Sequence, residues 1–220
     1  MLKPCPARQR GVALTEFQIV ALLGVLPLLL GALQVFLLLV AAHTVQFATF
    51  SAARSGAMNG ADPAVMKRAF ARGLLPLHAA ADAEIAGADL PAIVAAAYAR
   101  ASAESLLFAD IEILAPDSAA FGDFSVPAPE GRAIPNDGLL GRGVEVGSRS
   151  GLSLQEANLL RIRARWCHPL LVPFIDGILI AVLRHIDDDP FSNRCYVANR
   201  VPLAGDATVN MQSDARFHGP

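Results

Sequence analysis

The residue types that most often carry enzyme chemistry are scattered in this 220-residue chain and share no familiar spacing. Five histidines, the first at His43 and the last at His218, form no metal-binding pattern. The glycine-rich stretch 141–151 lacks the lysine and the following helix of a phosphate-binding loop, and no G-x-S-x-G sequence surrounds a serine. Asp187–Asp189 offers carboxylates to a cation, although such runs more often form solvated loops or end helices. We therefore predict no catalysis, cofactor or metal.

A stretch of 26 uncharged residues, from Phe17 to Ala42, dominates the first part of the chain. As a helix it would measure about 39 Å, whereas the hydrocarbon core of a bilayer is about 30 Å thick. Pro27 lies inside the stretch and predicts a kink, which membrane helices tolerate. The alternative is a cleaved secretory signal, but the apolar region of such signals is usually only about 7–15 residues long. The stretch predicts one tilted transmembrane helix.

The charges on either side of this stretch predict its orientation. Lys3, Arg8 and Arg10 precede it, and the next Lys or Arg is Arg54. Because basic flanking residues stay in the cytoplasm, we expect a cytoplasmic N-terminus, a single pass through a bacterial inner membrane and a periplasmic C-terminal part. The net charge of −2 and the lack of a basic stripe argue against nucleic acid as a partner.

The three cysteines divide between the two sides of the predicted span. Cys5 precedes it, so it is not a lipoprotein cysteine, which would follow the apolar run. Cys167 and Cys195 fall in the exported part, where an oxidising compartment favours a disulfide. Such a bridge would contribute about 3.5 kcal/mol in the chain-entropy description. Two buried thiols, or half of a metal site, are the alternatives.

Helical patterns dominate the region that follows the span. The first helix is expected to continue to about Met58, where an Asn-Gly pair ends it. Asp62 should cap a short helix over residues 63–72, and Asp89 should cap a longer one. The longer helix has a predicted buried face at helical spacing. That face comprises Ile93, Val94, Ala97, Tyr98, Ala101 and Leu106.

Alternation of apolar and polar residues predicts strands in the second half. Residues 109–115 form one strand, and residues 121–126 a second, shorter one. The clearest strand covers residues 160–166, with Leu160, Ile162, Ala164 and Trp166 on one face and Arg161, Arg163 and Arg165 on the other. We expect it to pair antiparallel with a last strand over residues 207–211. The arginine face is interpreted as solvated, with a site for phosphate or an acidic partner as the alternative.

Two other segments complete the predicted architecture. Residues 127–151, rich in glycine and proline, are expected to form a long loop, followed by a short turn capped by Ser153. Residues 169–189 include an apolar run that is too interrupted to span a bilayer. It predicts a helix packed on the sheet or lying on the membrane surface. The fold class is therefore α+β, with a long N-terminal transmembrane helix extending into a periplasmic domain of helices packed on a small antiparallel sheet.

The stretch GVALTEF at residues 11–17 resembles the class III signal of type IV pilin-like proteins. A glycine, Gly11, is followed at the fifth position by a glutamate, Glu16, then by an aromatic residue, Phe17, and a long apolar run. With its short basic leader, the chain is similar to TadE-like minor pilins, or pseudopilins, of the tight-adherence (Flp) pilus systems. The motif covers about a tenth of the chain, and the remainder agrees only in layout.

This resemblance implies a maturation step and a set of partners. A prepilin peptidase would cut between Gly11 and Val12, and Glu16 would compensate the positive N-terminus of a neighbouring subunit. Residues 1–11 would be the leader, 12–58 the transmembrane and extended helix, and 59–220 the periplasmic domain. The implied partners are this peptidase, other pilin and minor pilin subunits, the pilus assembly platform in the membrane and the lipid bilayer.

Other functions fit the same features. A plain anchor could carry Glu16 in the headgroup region, before a single-span periplasmic enzyme or binding protein. A general secretion pseudopilin would share the leader. The body is also larger than a minimal pilin needs, so the chain could enter the fibre, cap its tip or stay in the membrane complex, and adhesion to a surface would be its downstream role.

Overall fold

The computed structural model describes residues 12–83, 90–129, 131–173 and 175–218, and its architecture is α+β as predicted. The expectations for Cys5, Gly11 and Asp89 concern residues outside these ranges. The helices are α1 (Val12–Val20), α2 (Leu26–Met58), α3 (Pro63–Gly73), α4 (Leu75–Ala83), α5 (Leu90–Phe108), α6 (Ser118–Phe124), α7 (Leu154–Ala157), α8 (Ile175–Ile186) and α9 (Pro190–Val197). The strands are β1 (Ala109–Ala115), β2 (Val126–Ala128), β3 (Gly131–Ile134), β4 (Leu159–Pro169), β5 (Arg200–Asn210) and β6 (Ala215–Arg216).

The first two helices are joined by a π-helical turn over Ala21–Val25, so that helical structure runs from Val12 to Met58. Pro27 follows this turn directly, in the first turn of α2. Proline has no N–H to donate and its ring crowds the carbonyl four residues earlier, here that of Leu23, and the wider turn accommodates both effects. The helix thus changes to a π-helical turn just before Pro27, and the kink itself stays a prediction.

The segment Thr15–Met58 is the one part of the described chain that is long and apolar enough to cross a membrane. Its most apolar window has a mean hydropathy of 2.5, and only 11% of that window is buried. The core helix of a soluble protein would be mostly buried, so the exposed apolar surface is the distinguishing property. The helix lies near the N-terminus and agrees with a single-pass membrane protein.

The end of α2 and the start of α3 follow the predicted capping residues. The helix ends at Met58, and Gly60 then takes a φ of +65°, a conformation that glycine adopts without steric cost. The Asp62 carboxylate accepts a hydrogen bond from the Ala64 N–H at 2.7 Å. The chain therefore reverses after α2, and α3 packs back along it.

The main sheet has the order β1-β4-β5 and is antiparallel throughout. The predicted pairing of the arginine-alternating strand with the last long strand is confirmed, with Ile162 opposite Ala207. The apolar face of β4 is fully buried against the inner side of α2, where Val45, Ala48 and Ala52 have no exposed surface. We call the described residues after Met58 the body. The distal half of α2 packs against the body and forms part of the same core.

Close contact between α2 and α3 depends on a glycine. A Cβ atom at Gly73 would lie 2.5 Å from the Ala48 Cα atom, which is closer than any side chain allows. Small residues on both helices let their backbones approach, and Phe70 and Met66 fill the space beside this crossing.

Two strand and loop predictions were wrong. Residues 118–124 form helix α6, because the Asp117 carboxylate accepts a hydrogen bond from the Ala120 N–H at 2.8 Å and caps a helical turn. Only the end of the predicted 121–126 strand joins a strand, β2. The 127–151 segment is not all loop, since β2 and β3 form a hairpin within a second sheet of order β2-β3-β6.

The predicted buried face of α5 is only partly correct. Ala97 and Ala101 are fully buried, whereas Val94 and Leu106 are largely exposed. The helix contacts α3 and α4. Ile93 and Tyr98 are half-buried, so the fully buried positions of this predicted face are its two alanines.

The predicted disulfide is present between Cys167 and Cys195, with 5.2 Å between the Cα atoms. Both residues are fully buried. The bridge joins the end of β4 to α9, and Phe191 packs beside it. It therefore ties the segment after α8 to the central strand of the sheet.

Candidate assembly surface

The proximal part of the long helix stands free of the body. In the stretch from Thr15 to Leu33 no side chain is buried, and both Glu16 and Phe17 are exposed. Val12 is the first residue of α1, while Gly11 lies outside the described residues. The two assembly residues predicted here, Glu16 and Phe17, are therefore placed on an open helix surface where a neighbouring molecule can reach them.

Gln34 marks the level at which the body meets the helix. It is the first buried residue of α2, and its side-chain oxygen accepts a hydrogen bond from the Val172 N–H at 2.9 Å. Gln34 lies 18 residues beyond Glu16, which corresponds to about 27 Å along a helix. That distance is close to the thickness of the hydrocarbon core, so Glu16 and Gln34 bracket a span of bilayer dimensions.

Beyond Gln34, α2 has two opposite apolar faces. The inner face is made of small residues buried in the core, namely Ala41, Val45, Ala48, Ala52, Ala53 and Gly56. About half a turn away, at the 100° per residue of an α-helix, lies a face of large exposed residues. We call it the outer stripe, and its members are Phe36, Leu39, Val40, Phe47, Phe50 and Met58, which are 44% to 62% exposed.

The outer stripe faces outward because the opposite side of α2 is fixed on β5. The Gln46 amide donates a hydrogen bond to the Asp206 carbonyl at 2.7 Å, and its oxygen accepts one from the Asp206 N–H at 3.3 Å. At Gly205 a Cβ atom would lie 2.6 Å from the Thr49 hydroxyl oxygen. This close fit fixes the rotation of α2 about its own axis, so the outer stripe cannot turn inward.

The exposed face of the main sheet carries paired charges. Arg163 contacts Asp206 at 2.9 Å, and Arg165 contacts Asp110 at 2.7 Å. Because these pairs are part-exposed, each contributes at most about 1 kcal/mol to stability. Two of the three arginines that alternate along β4 thus have carboxylate partners within the chain, as expected for a solvated face.

The segment before α7 is organised by one carboxylate. Asp123, in α6, accepts hydrogen bonds from the backbone N–H groups of Arg149 and Ser150, at 3.0 Å and 2.8 Å, and from the Ser150 hydroxyl. These bonds hold the pKa of Asp123 below its usual value. Ser153 then caps α7 in a reciprocal arrangement with Glu156, as the sequence predicted for this serine. Both features are structural.

His168 is a buried titratable group next to Trp166, with 5.2 Å between the ring centres. Desolvation, and secondarily the Arg200 cation, lower its pKa from 6.5 to about 4. A histidine whose folded pKa is depressed stabilises the fold fully above its unfolded pKa, and this contribution is lost as the pH falls from 6.5 to 4. The two pKa values differ by an amount equivalent to about 3 kcal/mol.

We therefore expect the stability of the full chain in detergent micelles to fall by up to about 3 kcal/mol between pH 6.5 and pH 4 on account of His168. Urea unfolding followed by Trp166 fluorescence measures this dependence. His168→Phe should flatten it, whereas the matched change of an exposed histidine, His185→Phe, should leave it intact. An unchanged slope in His168→Phe would contradict the assignment.

Within the described ranges, no group of three or more His, Cys, Asp or Glu side chains is placed to hold a metal ion. Comparisons with protein families, curated proteins and solved structures give no match for this chain. Its function is therefore inferred from the GVALTEF motif and from the geometry of the long helix. Sequence reasoning missed Gln34 and the outer stripe. An amide in the middle of an apolar run, and phenylalanines beyond the span at helical spacing, were the signals available for them.

Proposed function

We propose that this chain is a TadE-like minor pilin that takes part in assembling a tight-adherence pilus and performs no catalysis. The observation that carries the proposal is the outer stripe, because its distal phenylalanines extend well past the Gln34 level. A contiguous patch of apolar side chains exposed to water is energetically unfavourable, and such patches mark interaction sites. An anchor that only tethers an enzyme has no use for this stripe.

The proposed occupant of the outer stripe is the long helix of another pilin subunit. The stripe presents apolar residues three, four, seven or eight positions apart, which places them on one side of the helix, as required for packing against a parallel helix. It begins near the end of the span at Phe36 and continues to Met58. A neighbouring helix can therefore follow it from the membrane outward, passing the exposed His43 and Arg54, which lie on the same side of α2.

Glu16 supplies the axial register in this proposal. After cleavage following Gly11, the new N-terminal amine belongs to Val12, about 6 Å along the helix from Glu16. A neighbouring helix displaced by about this rise brings its amine beside the Glu16 carboxylate. An unpaired carboxylate in hydrocarbon costs several kcal/mol, and pairing recovers much of that cost. Correctly staggered helices are thus favoured over other arrangements.

The proposed location is the inner membrane, with a cytoplasmic leader and a periplasmic body. The basic residues before the span support this orientation. The Cys167–Cys195 bridge supports it independently, since disulfides persist in oxidising compartments.

The decisive test is the mass of the mature chain from a host that has a prepilin peptidase. We expect loss of residues 1–11, giving a chain that begins at Val12. Gly11→Arg should abolish the cut, because the peptidase cleft needs an accessible, extended backbone at this position. The matched control, Gln9→Arg, adds the same charge to the leader and should be processed normally. An intact N-terminus, or a cut near Ala42, would contradict the proposal.

A further inference from the structure

Helix α8 exposes an apolar face that no part of the described chain covers. Ile178, Val182 and Ile186 follow one another along this helix at three- and four-residue spacing and are 51% to 75% exposed. Leu171, just before the helix, is 63% exposed. The sequence predicted a helix packed on the sheet or lying on the membrane surface, and α8 has its closest neighbours in α2 and α9.

Both ends of α8 are held in place, so the exposure is not the result of a loosely attached helix. At its start, the Asp176 carboxylate accepts a hydrogen bond from the Asn199 amide at 3.1 Å. Just past its end, the Asp187 carboxylate accepts one from the Tyr196 hydroxyl at 3.0 Å. Between them, Ile180 is buried in a cluster with Tyr196 and Val201. These contacts fix which side of α8 points outward.

The position of α8 along the long helix coincides with the expected bilayer surface. The cluster that holds α8 includes Leu38 of α2, and the segment leading to α8 contacts Gln34 through the Val172 N–H. Counted from Phe17, a hydrocarbon core of about 30 Å ends near Phe36. Gln34 and Leu38 lie on either side of that level. Helix α8 therefore lies at the level where the span is expected to leave the bilayer.

We propose that α8 is an interfacial helix, seated with Ile178, Val182 and Ile186 in the outer leaflet of the bilayer that α2 crosses. Amphipathic helices of this kind bury their apolar face about 5–10 Å into the boundary between headgroups and acyl chains. Arg184 and His185 lie in the last turn, are exposed and are available to lipid headgroups. The bilayer is favoured over a protein partner because the exposed face adjoins the span at the membrane level.

Seating α8 in lipid has a structural consequence for the body. The long helix alone leaves the body free to tilt with it, but a second lipid contact through α8, which packs beside α2, fixes the tilt. The Cys167–Cys195 bridge and the Tyr196 hydroxyl bond connect α8 through α9 to the central strand. The sheet is thus held at a set angle to the membrane plane.

A tryptophan at Val182 tests this proposal in the full chain reconstituted into phosphatidylcholine vesicles. Trp166 is the single tryptophan and is buried, so it gives a constant background that the parent chain measures. Lipids brominated along their acyl chains quench only tryptophans in contact with them. We expect Val182→Trp emission to fall by at least half in brominated vesicles compared with unbrominated ones, after subtraction of the background.

The matched control is Val144→Trp, which changes another exposed valine, in the loop before α7. This loop leads into the start of β4, where Leu160 lies against Gly56, about 33 Å beyond Gln34 along α2. Its emission should not change with bromination. Ile178→Trp gives a second reading on α8, and retention of the disulfide verifies folding of each variant.

Quenching at positions 182 and 178 no greater than at 144 would overturn the proposal. A blue-shifted emission at these positions that bromination leaves unchanged, and that grows with the protein-to-lipid ratio, would identify a second copy as the occupant and equally overturn it. Neither reading depends on cleavage after Gly11 or on pilus incorporation. The interfacial helix and the proposed pilin function therefore fail or succeed separately.

Discussion

Replacing Glu16 with alanine is expected to leave cleavage after Gly11 intact and to lower the amount of chain in the sheared pilus fraction at least tenfold. The carboxylate lies on the exposed proximal helix, far from any contact with the body, so the fold should not change. Under the proposed function, the change removes the pairing with the amine of a neighbouring subunit. A pairing term of several kcal/mol exceeds the 1.4 kcal/mol that corresponds to a factor of ten.

Two variants define how the Glu16→Ala result is interpreted. Glu16→Asp keeps the charge on a shorter side chain and should retain part of the incorporation. Glu145→Ala removes an exposed carboxylate from the body and should incorporate like the parent chain. The measurement is the ratio of sheared to membrane-bound protein by immunoblot, with mass spectrometry for processing. If a processed Glu16→Ala chain were incorporated as well as the parent chain, the proposed role of Glu16 in setting the axial register would be contradicted.

Phe47→Glu and Phe50→Glu are each expected to lower incorporation of the chain into the pilus about as much as Glu16→Ala does. Each change places a charge in the outer stripe. Burial of one phenylalanine side chain contributes about 1.5–3 kcal/mol, so its loss alone corresponds to at least a tenfold weaker contact. Since both residues are exposed in the isolated chain, the free energy of unfolding should change little. Glutamate also suits an exposed helix position.

The control for the stripe variants is Leu140→Glu. Leu140 is a fully exposed leucine in a short 3-10 turn of the body, away from α2. The Leu140→Glu variant should be incorporated normally. The unfolding midpoints of the Phe47→Glu, Phe50→Glu and Leu140→Glu variants should match that of the parent chain. Incorporation of Phe47→Glu and Phe50→Glu at the Leu140→Glu level would show that the stripe is not a subunit contact.

Elements with strong local signals could be predicted from the sequence. The end of α2 at Met58, the Asp62 cap and the alternating strand β4 all depend on neighbouring residues and were confirmed. The Cys167–Cys195 bridge followed from counting cysteines on one side of the span. Prediction failed where burial depends on contacts with residues distant in the sequence. The exposed sides of α5 depend on which helices it meets, and this is not encoded in its own spacing.

The same distinction applies to the candidate site. Glu16 and Phe17 were identified from local spacing, because a carboxylate before an apolar run is visible in the sequence. The outer stripe was not, since the distal part of α2 mixes small and large apolar residues with polar ones such as Gln46 and Arg54, and the sequence does not show which side is buried. Only the packing of the small face on β5 separates the two sides. Gln34 likewise needed the partner that the Val172 N–H provides, 138 residues away.

The continuity of the long helix has a mechanical consequence, since its proximal part is proposed to cross the membrane and its distal half forms a wall of the core. No flexible linker separates the span from the sheet, as Val45 and Ala48 are fully buried in the same cluster as Leu160. A torque applied to the helix inside the bilayer must therefore turn the sheet by the same angle. Rotation of the helix within the membrane would therefore displace the body outside it.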